Sequence, residues 1–255
     1  MQVVILAGGL GTRLGELTER IPKPMVKVGK YPIIIEIMRH YLKYGANNFI
    51  LCLGYRQEVV RDYFSNFQLF NSDISLNSDG SSNILSRDTS LDNCSITLAD
   101  TGLNTSTAFR IHQIKKYLDP SLPFHLTYGD GLSNVNLEHL SASHLKSGCA
   151  CTVTAVRPSA RFGEITTNKR SLVTAFEEKP AINSSWVNGG FFVCNHSVFN
   201  YLNSDPDVMW EDTPLSTMSR EHQLNAYFHS GYWRCMDTQR DRNQILDDIS
   251  MGLHL

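Results

Sequence analysis

Four segments near the start of this chain leave little freedom in the fold. Val3–Ala7 reads VVILA, a short apolar run that fits a strand buried on both faces. Pro32–Gly45 reads PIIIEIMRHYLKYG. It opens on proline, repeats apolar residues at helical spacing and stops on glycine, so it predicts a helix. Asn48–Tyr55 (NFILCLGY) is a second buried strand and Arg56–Phe64 (RQEVVRDYF) a second helix. Strands and helices in strict alternation predict parallel strands with crossover helices on both faces of the sheet.

The same alternation continues after one interruption. Phe67–Asn93 is rich in Ser, Asn and Asp and is expected to leave the body as an arm of two strands, between DISLN and CSITLAD. Thr107–Leu118 is expected to be a helix, Pro123–Gly131 (PFHLTYGDG) a strand ending in a polar loop, Leu137–Gly148 a helix and Cys149–Val156 a strand. From about Gly163 the pattern turns to short strands: GEITT, SLVTAFEE and VNGGFFVCN. Three helical segments close the chain, SVFNYL, DTPLSTMSREH and TQRDRNQILDDIS. The expected architecture is α/β: a doubly wound, mostly parallel, Rossmann-like sheet flanked by helices. It has a small antiparallel half and a protruding arm at 67–93, all within a single domain spanning 1–255.

Bulk properties exclude several function classes. The chain has 255 residues and a formal charge of −2, so neither a general nucleic-acid binder nor a membrane-surface protein is expected. Any anion site must be local. The opening residues lack the pattern of a signal peptide, so none is expected, and six cysteines in a chain of this size are not expected to form a disulfide framework. Cys149 and Cys151 read as buried thiols of one strand rather than as a metal site. A reducing cytoplasm is the expected location.

The first strand runs into AGGLGTRL. Its glycines, Gly8, Gly9 and Gly11, allow backbone N–H groups to wrap phosphate oxygens. Thr12 adds a hydroxyl, and Arg13 adds a permanent cation with a forked donor set. The loop is neither a dinucleotide fingerprint, since Leu14 stands where the third glycine is needed, nor a P-loop, since no G-K-[ST] closes it. Then follows PKPM, Pro22–Met25, which holds Lys23 between two prolines of fixed φ.

LAGGLGTRL followed by PKPM resembles the signature of the sugar-phosphate nucleotidyltransferases. Further motifs match in family order: YGDG (128–131), FEEKP (176–180), VNGGFF (187–192) and MDT (236–238). NSDISL, LADTG, RFGEI, MWEDTPL and GYWRCMDTQRD are similar to the glucose-1-phosphate cytidylyltransferase branch. This resemblance implies Mg2+-dependent nucleotidyl transfer from CTP to a hexose-1-phosphate, with pyrophosphate leaving. Arg13, Lys23, Asp130 and Asp237 are the implied catalytic residues, with Asp130 and Asp237 as metal ligands. Leu6, Gly8, Gly9, Gly11, Thr12 and Gly129 would hold the nucleotide. Thr105 and Arg110 would help select the base. Gly163, Glu178, Lys179 and Asn188 would hold the sugar phosphate. The resemblance also implies a homo-oligomer joined through the arm.

Taken one at a time, these residues have plainer readings. Asp130 between two glycines fits an Asx turn, Asp237 fits a helix N-cap ahead of QRDRNQIL, and Asn188 fits a turn. Glu164 could read a sugar hydroxyl or simply solvate a strand. Trp210 beside Glu211 could edge the pocket or fill the core. The segment TGLNTSTAFR (101–110) departs from the branch, with Ala108 and Phe109 where it has glycines. Phe109 could stack on the base, narrow the site or turn inward. Two alternatives therefore stand beside the main reading: the same chemistry with another base or acceptor, and a non-catalytic nucleotide-sugar-binding regulator. Retention of Arg13, Lys23, Asp130, Lys179 and Asp237 together argues against the second.

Overall fold

The computed structural model describes residues 1–15, 17–158, 163–178 and 185–253. Its strands and helices, in chain order, are β1 (Gln2–Leu6), α1 (Leu17–Arg20), α2 (Ile33–Leu42), β2 (Asn48–Leu53), α3 (Gln57–Ser65), α4 (Phe67–Asn71), β3 (Asp73–Leu76), β4 (Ser82–Ser86) and β5 (Ser95–Asp100). Then follow α5 (Thr107–Gln113), β6 (Phe124–Tyr128), β7 (Gly131–Ser133), α6 (Leu137–Ser147), β8 (Cys151–Val156), β9 (Glu164–Thr167) and β10 (Val173–Glu177). The last are β11 (Val187–Cys194), α7 (Thr213–Arg220), β12 (Leu224–His229), β13 (Trp233–Cys235) and α8 (Gln239–Ser250).

Seven strands form the central sheet in the order β12-β8-β11-β6-β1-β2-β5. β11 runs against both of its neighbours, and the other adjacent pairs are parallel. The doubly wound sheet expected from the alternating segments is therefore present, with one reversed strand. Along β1 the side chains alternate between two cores, as the two-residue period of a strand requires. Val3 and Ile5 join Ile33, Ile37, Met38 and Tyr41 of α2 on one face. Val4 and Leu6 join Ala108 and Ile111 of α5 on the other. Both faces are covered, which explains why these strands read as unbroken apolar runs.

The carboxyl end of β1 lies where the chain order reverses, with β2 on one side and β6 on the other. Open α/β sheets bind ligands at such a point. Gly129 marks the close approach of the two loops there. Its N–H donates to Leu6 O at 3.0 Å, and a Cβ in its place would sit 2.9 Å from that oxygen.

The arm is a two-stranded antiparallel hairpin, β3 against β4. It begins later than its polar composition suggests. Phe67 is buried in the core at the start of α4, so the excursion proper starts near Asp73. Its return is pinned by Asp88, whose side chain is 2% exposed and accepts from the Lys30 ammonium at 2.9 Å and from the Tyr31 hydroxyl. Another difference concerns Cys149. The strand starts only at Cys151, so Cys149 is half-buried rather than a core thiol, while Cys151 is buried beside Cys194. SVFNYL, expected as a helix, forms a 3-10 segment, His196–Tyr201. Among the described residues, no helix is long and apolar enough to cross a membrane.

Candidate active site

A cavity of about 1550 Å³ opens at the carboxyl ends of β1 and β6. That exceeds the roughly 300–1,000 Å³ typical of a pocket for one small ligand, so it has room for more than one. Leu6, Gly8, Gly9, Gly11 and Thr12 of the opening loop line it together with Gly129, Asp130 and Asn188.

The glycines of the opening loop are required by contact as well as by conformation. A Cβ on Gly8 would lie 2.1 Å from Arg110 Nη1, and one on Gly11 would lie 2.9 Å from Lys23 Cβ. Gly11 also has φ of +64°, in the left-handed region where L side chains are strained. The loop can thus lie directly on the two basic side chains.

Lys23 sits at the floor of the cavity, 12% exposed. Its ammonium donates to Asp130 Oδ2 at 2.6 Å and to Asp237 Oδ1 at 2.7 Å. Burial opposes its charge, but the Asp130 carboxylate and the two hydrogen bonds outweigh that and hold its pKa above the ordinary lysine value.

A short ladder assembles the acidic pair. β13 runs antiparallel to β7 with Cys235 opposite Gly131, and Met236 N donates to Asp130 O at 2.8 Å. Asp130 is thereby fixed beside the 235–237 strand. Asp237 is not the helix cap. Thr238 is the N-cap of α8 and forms a reciprocal capping box with Asp241, which leaves the Asp237 side chain turned to Lys23. Asp130 likewise spends its carboxylate on Lys23.

Asp130, Cys235 and Asp237 each offer one ligand atom, all within 4.8 Å of one another. Two carboxylates at this spacing suit a hard divalent cation, which takes oxygen ligands and shares itself with phosphates. Burial, and next the charge of Asp130, push the Cys235 thiol up.

Arg110 is 3% exposed and acts as a tie between strand ends. It donates to Gly8 O, Leu53 O, Gly102 O and Leu103 O, and to the Thr101 hydroxyl, at 2.9–3.4 Å. These acceptors lie at or just beyond the carboxyl ends of β1, β2 and β5, so one guanidinium ties three strand ends together at the cavity edge. Thr105 also lines the cavity, its hydroxyl directed to Thr101 O at 2.8 Å. Ala108 is buried in the core, and Phe109 is half-buried in α5 and not among the described residues that line the cavity. The 103–107 stretch lines it instead.

Asn188 donates to the Tyr128 hydroxyl at 3.2 Å and accepts from Gly190 N at 2.8 Å. It is both a turn residue and a cavity residue. The Tyr128 hydroxyl donates to Glu211, whose other oxygen accepts from the Thr107 hydroxyl at 2.8 Å. Trp210 is fully buried against Phe192, so it packs in the core rather than edging the pocket. Gly163 and Glu178 meet at the open end of the β9–β10 hairpin, where a Cβ on Gly163 would lie 2.9 Å from Glu178 Oε2. Neither is among the described residues lining the cavity. Lys179 lies outside the described residues, as do the side chains of Arg13 and Glu164.

Three features escaped the sequence reading: Cys235, the Tyr128–Glu211 link and the β7–β13 ladder. The first had a usable signal, since Cys235 and Asp237 share a face at strand spacing.

Comparison with known proteins places the whole chain. Residues 2–238 match the family model for nucleotidyl transferases. The chain belongs to this family. It is 40% identical over 246 residues to a probable glucose-1-phosphate cytidylyltransferase of Bacillus subtilis, covering 96% of this chain and 94% of the relative. It is 38% identical over 242 residues to the glucose-1-phosphate cytidylyltransferase of Salmonella typhimurium, covering 95% and 93%. In fold it is similar to a putative glucose-1-phosphate thymidylyltransferase from Bacillus anthracis, solved in complex with sucrose, with a TM-score of 0.71 at 18% identity over 100% of this chain and 97% of that one. As a member of this nucleotidyltransferase family, the chain has an activity as well as a fold.

Proposed function

We propose that this protein transfers the CMP group of CTP to glucose-1-phosphate, with Mg2+, giving CDP-glucose and pyrophosphate. One observation carries most of this reading. Asp130 and Asp237, distant in sequence, converge on Lys23 at the floor of a cavity with room for more than one small ligand. The named activities of the relatives at 38–40% identity support the choice of base and sugar.

An oxygen of the sugar phosphate attacks the α-phosphorus in line. A new P–O bond forms as the bond to the bridging oxygen of the β-phosphate breaks, and the electron pair leaves with pyrophosphate. No protein nucleophile is needed, so the work of the chain is to hold two polyanions in register and offset their charge. In this reading the 8–12 loop, Arg13 and Lys23 hold the triphosphate. Asn188, Gly163, Glu178 and Lys179 hold the sugar phosphate. Thr105 and the loop tied by Arg110 face the base. Asp130 and Asp237 hold the metal, which when bound supplies positive charge beside the reacting phosphates.

Pyrophosphate release, measured with Mg2+ across four nucleoside triphosphates and several sugar-1-phosphates, is expected to be strongest with CTP and glucose-1-phosphate. A stronger signal with another base would keep the chemistry and overturn the assignment of CTP, pointing to the 103–107 loop in front of Ala108 and Phe109. Silence from folded protein would favour a binding-only role. The same proposal extends to a homo-oligomer in the cytoplasm, joined through the arm, where Leu76, Ile84 and Leu85 are exposed. Sedimentation at assay concentration should give a mass above that of one chain, and a clean monomer would remove the arm from this role.

A further inference from the structure

Cys235 stands beside the carboxylate pair with no part in the chemistry above. We propose that it makes this centre a mixed oxygen–sulfur site, which captures a soft divalent ion such as Cd2+ or Zn2+ through Asp130, Asp237 and the Cys235 thiolate. The inference rests on the reading of the two aspartates as metal ligands.

The geometry comes from a rigid source. Cys235 ends β13, locked opposite Gly131 in the ladder with β7, and Asp237 follows two positions later on the same side of the extended chain. Asp130 immediately precedes Gly131 and is held by the hydrogen bond from Met236. One atom from each of the three side chains lies within 4.8 Å of the other two, and all three residues line the cavity. A zinc ion with sulfur at about 2.3 Å and oxygens at about 2.0–2.2 Å needs its ligand atoms roughly 3.5 Å apart in a tetrahedron. The present separations, at most 4.8 Å, exceed that spacing by no more than about 1.3 Å. A fourth position remains for water or a phosphate oxygen.

The ligand set also decides the preference among ions. Oxygen donors alone suit Mg2+, and a thiolate adds affinity for Zn2+ and Cd2+ but little for Mg2+. On binding, the sulfur–metal bond replaces the S–H bond and the proton passes to solvent, since a coordinating thiol is deprotonated. Lys23, now bonded to both carboxylates, must yield to the incoming dication. A soft ion so held would compete with Mg2+ at the reacting centre.

The test is a Cd2+ titration of the substrate-free protein, followed by the sulfur-to-cadmium charge-transfer absorption in the ultraviolet. It needs no turnover, so its outcome is independent of which nucleotide or sugar the enzyme accepts. Cys52, Cys151 and Cys194 are buried, and Cys94 and Cys149 are half-buried and supply the background against which variants are read. The wild type should show a saturable band at one equivalent that Cys235→Ser lacks. Loss of even an outer-shell partner of a metal site weakens binding about 10–100-fold, so loss of a ligand should cost at least about 10-fold. Asp237→Asn and Asp130→Asn should each weaken the band while keeping Cys235. An unchanged band in Cys235→Ser, no band in the wild type, or full affinity in both aspartate variants would each overturn the proposal.

Discussion

Replacing Asp237 by asparagine is expected to lower kcat by about 10³-fold, on the scale of removing one preorganised charge from a transition state, and to leave the protein folded. The substitution keeps size and shape and removes one of the two negative charges that meet at Lys23. Helix α8 keeps its start, because the capping box belongs to Thr238 and Asp241. Turnover read by pyrophosphate release and folding read by thermal melting separate the two effects. Near-wild-type turnover from a folded variant would move the reacting centre away from the β7–β13 ladder. Loss of turnover together with collapse of the melting transition would show that the pair serves the fold first.

Arg110→Met should act in the opposite proportion, on stability and nucleotide affinity more than on the chemical step. Methionine retains much of the buried apolar contact but none of the donors. It removes five hydrogen bonds from a charged donor, while Gly8 O keeps its bond from Tyr55 N, Leu53 O those from Thr101, and Gly102 O that from the Thr105 hydroxyl. A hydrogen bond to a charged group contributes about 1.5–3 kcal/mol, and part of that loss is offset because no guanidinium has to be desolvated. Water admitted from the cavity would satisfy some of these oxygens, so a total near 3 kcal/mol is expected. For a chain of this length that lowers Tm by about 6–12 °C. The opening glycine loop loses its support at the same time, so KM for the nucleotide should rise more than kcat falls. Arg110→Lys should not rescue either quantity, since one compact ammonium cannot reach carbonyls at three strand ends. A melting curve and a KM equal to wild type would show that the tie is dispensable.

Arg110 also shows how far a sequence reading reaches. Its position in TGLNTSTAFR marks it as part of the base-side segment. Nothing in the residue order says that its donors go to backbone carbonyls at or just beyond the ends of β1, β2 and β5, because those partners lie up to 102 positions away. Asp237 is similar. Its neighbours, read alone, favour a helix cap. The cap falls on Thr238 instead, since Asp241 sits at the third helical position and completes the reciprocal pair with it. Phe67 misled in the other direction. The polar run after it suggests an arm from that point, but one aromatic side chain buried against the core moves the boundary.

What the sequence by itself determined is local or periodic. The unbroken apolar run of β1 and the helical spacing of Pro32–Gly45 require a sheet covered on both faces, as the two cores against β1 show. The glycines and Lys23 specify a loop open to close backbone approach with a cation held near it. The tertiary structure alone decided which distant groups meet. It placed β11 against its neighbours, buried Trp210, and brought Cys235 to the two aspartates. The physical reason is that periodicity and turn chemistry act over a few residues. Convergence of side chains across the sheet depends on strand order and register, which packing of the whole chain selects.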